Sequence, residues 1–166
     1  FTSGIGVASL GHADEGWLKA VAGQAAKLAH ISNLFYTEPY AKAAQALCTR
    51  TGMANVMFGN SGAEANEAMI KLARKWSFDK YGKGRGTVIT LHNSFHGRTI
   101  TTLAATGQDK FHNYFFPFTE GFRYADANDM DSVEAVAGHD VCAVMVELVQ
   151  GEGGVLPLEK EFVAKV

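Results

Sequence analysis

An α/β fold built on a mostly parallel sheet is what this sequence predicts, and three observations predict it. Short apolar runs over 54–58, 87–91 and 141–146 alternate with stretches of helical periodicity. Their β-branched or unbroken apolar character fits strands covered on both faces. Each run is followed at once by a loop of small or polar residues, 59–63, 92–98 and 147–154. If the strands are parallel neighbours, those loops converge on one crevice at the carboxyl edge, where such sheets bind ligands.

The elements follow in order. Residues 1–12, FTSGIGVASLGH, are glycine-rich and irregular, at best a short strand. Asp14 opens an amphipathic helix in which Trp17, Leu18, Val21, Ala25 and Leu28 share a face, ending near His30. The aromatic stretch 31–39 leads to a second helix over 40–50, with Pro39 suited to its first turn and Gly52 to its end. In a third helix over 63–80, Ala65, Met69, Leu72 and Trp76 recur at helical spacing, with Glu67, Lys71, Arg74 and Lys75 largely opposite. A short helix is expected after Gly97, another over 129–137 and a last one from Leu158. The stretch 108–124, QDKFHNYFFPFTEGFRY, is an aromatic loop whose length favours a functional or interface role.

Of the 166 residues, 47% are apolar and 19% charged, a soluble globular composition with enough chain for a real core. A net charge of −2 gives no reason to expect nucleic acid or an anionic membrane as partner, and no apolar run reaches spanning length. Two cysteines, Cys48 and Cys142, make neither a disulfide framework nor a metal spacing, so a reducing, cytoplasmic setting is expected. The chain starts without methionine and stops inside an expected helix; both ends read as cut from a longer polypeptide.

The stretch GNSGAEANEA, 59–68, opens the third helix. Unpaired N–H groups and the positive end of the helix dipole meet there, which suits a phosphate. Gly62 and Ala63 leave room for its approach, and the Ser61 hydroxyl is a further donor. Ser61 and Glu64 also fit a capping box that satisfies the first-turn donors locally, so the two readings compete. In the second loop His92 and His96 stand four apart, but Gly97 and the preceding strand argue against a helical metal pair, and no metal site is expected. Phe95 offers a flat face for a ring and Arg98 a fork for a carboxylate; the alternative is a core phenylalanine and an arginine paired with a structural acid. In the third loop Glu147 directly follows an apolar run, where a carboxylate is costly to bury without a partner. Glu147 and Glu152 are candidates for orienting or gating groups, set against a glycine-rich turn with solvated acids.

The segments SGAEANEAMIKLARK, SFHGRT and VELVQGEGG, in this order and with FTSGIGVASLGH and SNLFYTEPY upstream, resemble the class III aminotransferases. These enzymes use pyridoxal 5'-phosphate (PLP) on the fold-type-I scaffold, and the upstream segments are similar to the acetylornithine branch. The resemblance implies a three-layer large domain, of which 53–166 is the first, incomplete part, preceded by a two-helix segment over 1–52. It implies transamination of N2-acetylornithine at its 5-amino group with 2-oxoglutarate, in arginine biosynthesis, by a cytoplasmic homodimer. The alternatives are a sister activity on ornithine, 4-aminobutyrate or succinylornithine, or a non-catalytic α/β domain binding a phosphorylated ligand.

Carried over by position, Ser61, Gly62 and Ala63 would hold the PLP phosphate, and Phe95 would stack on its ring. Glu147 would join the hydrogen-bond network near the cofactor. Arg98 would bind the substrate carboxylate, Glu152 would gate a second, distant arginine, and Ile5 would line the pocket at the substrate's far end. Under this reading Glu64 turns outward. The lysine that carries the cofactor, the aspartate facing its pyridine nitrogen and the gated arginine would all lie beyond Val166. No catalytic residue is therefore expected within this stretch, which alone would bind without turnover.

Overall fold

The computed structural model describes residues 2–166, so Phe1 at the head of the irregular 1–12 stretch lies outside the described residues. The chain forms two compact units, 1–56 and 57–166, each with its own architecture.

In the first unit, α1 (Glu15–Ala25) is capped by Asp14, whose carboxylate accepts the Trp17 N–H at 2.8 Å. It ends earlier than the His30 that periodicity predicts. The Lys27 and Leu28 amides turn back onto the Gln24 carbonyl, and the Gln24 side-chain amide closes the turn onto Leu28. Helix α2 (Glu38–Thr51) carries Pro39 in its first turn and stops at Gly52, whose φ of 74° is the left-handed cap that glycine adopts without a Cβ clash.

The second unit holds a three-stranded, all-parallel sheet in the order β2 (Phe122–Ala125), β1 (Thr87–Leu91), β3 (Val141–Val144). As the central strand, β1 is paired on both edges, and Val88 to Leu91 are buried. Its side chains alternate between layers. Ile89 and Leu91 pack with Val133 of α5 (Met130–Val136) and Phe162 of α6 (Lys160–Lys165). Val88 packs with Ile70 of α3 (Gly62–Tyr81) and Ala105 of α4 (Ile100–Ala105). Helices therefore cover both faces, in three layers.

Four expectations are corrected. Residues 54–58 form no strand: an extended segment becomes one only when a neighbour takes up its N–H and C=O groups, and no ladder reaches it among the described residues. Helix α3 buries Ile70 and Ser77, while Met69, Leu72 and Trp76 stay more than half exposed. Arg74, expected on the solvent side, is half-buried and donates to the Gly86 and Glu120 carbonyls, both at 2.9 Å. The helix has two partly apolar stripes, and the sheet selects the one that lets Arg74 tie down the edge of β2. Strand β2 itself lies at the end of the aromatic stretch; its Arg123 is half-buried and forks onto Asp140 at 2.8 and 3.2 Å, breaking the apolar pattern. Finally, the third loop is a small antiparallel hairpin, β4 (Val149–Gln150) with β5 (Leu156–Pro157), rather than a plain glycine turn.

Candidate active site

The start of α3, the loop after β1 and the loop after β3 meet at one end of the sheet, as parallel neighbours require, although 54–58 contributes no strand. The second unit alone builds this cluster. Ile5 belongs to the first unit, where it is 93% exposed at φ 60°.

At the helix start, Ser61 is the N-cap, its hydroxyl oxygen accepting the Glu64 N–H at 3.2 Å. The expectation that Glu64 turns outward is corrected: its carboxylate reaches back to the Asn60 N–H, completing a box one residue earlier than the usual pattern. That leaves the Gly62 and Ala63 N–H groups without an acceptor among the described residues. A Cβ placed on Gly62 would meet nothing within 4 Å. Two open donors at the N-terminus of a 20-residue helix make an anion cradle that the capping box does not consume.

The loop after β1 is fastened to this helix. The Asn66 amide donates to the His96 carbonyl at 2.7 Å, and the Thr99 hydroxyl donates to Glu67 at 2.5 Å. Gly97 has a φ of 133°, and a Cβ there would lie 2.9 Å from that of Ala63 and 2.6 Å from the Thr102 hydroxyl. Only glycine allows so close an approach. His96 is buried, and its burial lowers the imidazole pKa to about 4, so the ring is neutral. His92, by contrast, is exposed, its ring tilted against Tyr124 at 5.8 Å, so the two histidines do not converge.

Phe95 is half-buried, its ring edge-on to Phe111 at 5.8 Å, and its N–H donates to Glu147 at 2.8 Å. Glu147 therefore finds its partner in the backbone of the second loop, as a carboxylate below a strand end needs. Arg98 has neither a hydrogen bond nor an ion pair among the described residues; its guanidinium lies 5.9 Å from the centre of the Phe111 ring. Within the described residues no acid therefore pairs with Arg98. Glu152 accepts from the Gln108 amide at 2.5 Å and pairs with Lys110 at 3.1 Å. These contacts, the Gln108 bond first, hold its carboxyl below the usual range.

Gln108, Lys110 and Phe111 carry no motif signal. They reach the site because Gly107 bridges back to His92, packed against the Leu91 carbonyl where any side chain would collide. The only trace in the sequence is the length of the aromatic loop they open. Beside them lies a cavity of about 470 Å³, lined by His92, Asn93, Gln108, Lys110, Glu152 and their neighbours.

A helix N-terminus with free donors, tied to an aromatic and an unpaired guanidinium at the carboxyl edge of a parallel sheet, fits the PLP fold-type-I aminotransferase scaffold. The chain belongs to the class III aminotransferases, whose family model, "Aminotransferase class-III", matches residues 1–166. The acetylornithine aminotransferase of Haemophilus ducreyi is 58% identical over 167 residues, covering all of this chain and 42% of that protein. The solved ornithine aminotransferase of Toxoplasma gondii ME49 superposes with a TM-score of 0.91 at 32% identity, over 99% of this chain and 40% of that one. The N-acetylornithine aminotransferase of Stenotrophomonas maltophilia K279a gives 0.78 at 39% identity, with the same coverage of 99% and 40%. The chain thus spans about two-fifths of the length of these relatives.

Proposed function

We propose that this chain supplies the phosphate cradle and the carboxylate receptor of an enzyme that transaminates N2-acetylornithine at its 5-amino group with 2-oxoglutarate, a step of arginine biosynthesis. The observation that carries the reading is the unpaired Arg98 guanidinium on a loop fastened to the open donors of Gly62 and Ala63. An amino-acid substrate and a phosphorylated cofactor need those two receptors a short distance apart.

PLP, when bound, supplies the electron sink for proton removal beside the substrate nitrogen. Ser61, Gly62 and Ala63 would hold its phosphate, and Phe95 would lie against its ring. Glu147 keeps the Phe95 backbone in place through its 2.8 Å bond. Arg98 orients the substrate carboxylate by a bidentate grip. Glu152 would gate the distant arginine, and Ile5 would line the far end of the substrate. The lysine that accepts and returns the proton would belong to the remainder of a longer polypeptide, as would the rest of the cofactor domain begun at residue 53. The enzyme would act as a homodimer; Met69, Leu72 and Trp76 are exposed apolar side chains that the remainder of the polypeptide or a second copy would cover. A cytoplasmic setting accords with the free thiols of Cys48 and Cys142. Among the described residues no helix is long and apolar enough to cross a membrane.

Acetylornithine is preferred as the donor because relatives of that name reach 58% identity, against 32% for the ornithine enzyme. The test is spectral. Full-length protein loaded with PLP should change its cofactor absorbance on adding acetylornithine and return on adding 2-oxoglutarate. Absence of both changes refutes the reading. A higher kcat/KM for ornithine, 4-aminobutyrate or succinylornithine moves it to that sister activity. Arg98→Ala should raise KM for the carboxylate substrates while PLP stays bound; loss of PLP would make Arg98 structural.

A further inference from the structure

We propose that Glu67 is a positioning residue for Arg98: through the Thr99 hydroxyl it fixes the downstream side of the loop, so that the guanidinium is presented to a substrate carboxylate in one place. Ala63, Asn66 and Glu67 stand at i, i+3 and i+4 of α3 and so share one face. That face meets three of four consecutive loop residues. Gly97 packs on Ala63, where an added Cβ would come within 2.9 Å of the Ala63 Cβ. The His96 carbonyl accepts from the Asn66 amide at 2.7 Å, and the Thr99 hydroxyl donates to Glu67 at 2.5 Å. Arg98, between them, is exposed, with no hydrogen bond or ion pair of its own among the described residues. The backbone is held on both sides of the one side chain that is left free.

Upstream, His96 is held twice, since its N–H also donates to the Thr106 hydroxyl at 3.0 Å. Gly97, at a φ of 133°, then makes a joint that no side chain stiffens. The place of Arg98 therefore depends on what holds Thr99. An ionised carboxylate only accepts, so the Thr99 proton is committed to Glu67. The Thr99 oxygen is left to accept the Thr102 hydroxyl at 2.7 Å and the Thr102 N–H at 3.3 Å, which closes the cap of α4. Glu67 thus orients a hydroxyl that would otherwise rotate, and ties the start of α4 to α3. Expected on the solvent side of its helix, it is half-buried. Its charge by itself works the other way, because a carboxylate bonded to the residue next to the receptor repels an incoming one. The hydrogen bond and the charge therefore give opposite signs for the loss of Glu67.

The inference rests on the reading of Arg98 as the carboxylate receptor, and the test separates the two. The probe is succinate, titrated into full-length protein loaded with PLP and followed by calorimetry, with PLP affinity measured separately. Glu67→Ala should raise the succinate Kd about 3- to 10-fold, the loss of one exposed charge-assisted hydrogen bond, and leave PLP affinity unchanged. Alanine favours the helix, so α3 persists. Glu67→Gln, which keeps an acceptor for Thr99 and removes the charge, should bind succinate at least as well as wild type. In a Thr99→Val background the Glu67→Ala change should no longer weaken binding, because the two residues act through one bond. A succinate Kd that is unchanged or lower in Glu67→Ala overturns the proposal. So does a Glu67→Gln as damaging as Glu67→Ala, the same weakening in the Thr99→Val background, or an equal loss of PLP affinity, which marks a residue that only holds the fold. If Arg98→Ala binds succinate as the wild type does, the receptor reading falls and this inference with it. If Arg98→Ala loses succinate while Glu67→Ala does not, this inference alone falls.

Discussion

Acidification should unfasten the loop that carries Arg98 through one buried histidine. His96 is 3% exposed, its Nε2 has no partner among the described residues, and its backbone is held by the Thr106 hydroxyl and the Asn66 amide at 3.0 and 2.7 Å. Burial lowers its pKa from 6.5 to about 4. Below 6.5 the unfolded chain therefore takes up a proton that the folded chain refuses. The contribution is whole above about pH 6.5 and is lost as the pH falls toward 4, amounting to about 3 kcal/mol in total. That is a large part of a typical domain's stability of about 5–15 kcal/mol. The assay is urea unfolding of full-length protein and of His96→Leu across this interval, with the difference between them taken at each pH so that other titrations cancel. The advantage of the wild type should shrink by about 3 kcal/mol from pH 7 to pH 4. A difference that stays constant, or an NMR titration placing His96 near 6.5, would refute the reasoning.

Two further substitutions probe the same fastening. Gly97→Ala places a methyl 2.6 Å from the Thr102 hydroxyl at a φ of 133°, and should cost at least about 2 kcal/mol in chemical denaturation and weaken PLP binding by moving the loop off α3. Asn66→Ala leaves the His96 carbonyl without its donor; a loss of about 1–2 kcal/mol is expected, with weaker succinate binding because Arg98 follows the loop.

Much of this chain could be read residue by residue. Strand β1 matches its apolar run at both ends, and Asp14, Gly52 and Ser61 cap their helices by rules that involve only three or four neighbouring residues. The same locality lets small residues ahead of a helix be read as open N–H donors, which is how the structure has Gly62 and Ala63. Local rules fail where a partner decides the outcome. Residues 54–58 have a strand's composition but no ladder, and α3 carries two apolar stripes between which only the sheet can choose. The candidate site could be read as a list of loops, with Phe95, Arg98, Glu147 and Glu152 proposed on it, but the relations between these residues could not. Whether Glu147 would be a solvated acid or the acceptor of the Phe95 N–H depends on a residue 52 positions away, and the partners of Glu152 lie 42 and 44 positions away. Those separations are set by parallel crossovers, which bring strand ends together through packing of the helices between them. Periodicity and capping fix most helices and the central strand, because their forces act within a turn; whether an extended run joins a ladder, and which charge meets which across the crevice, is settled only when the layers close.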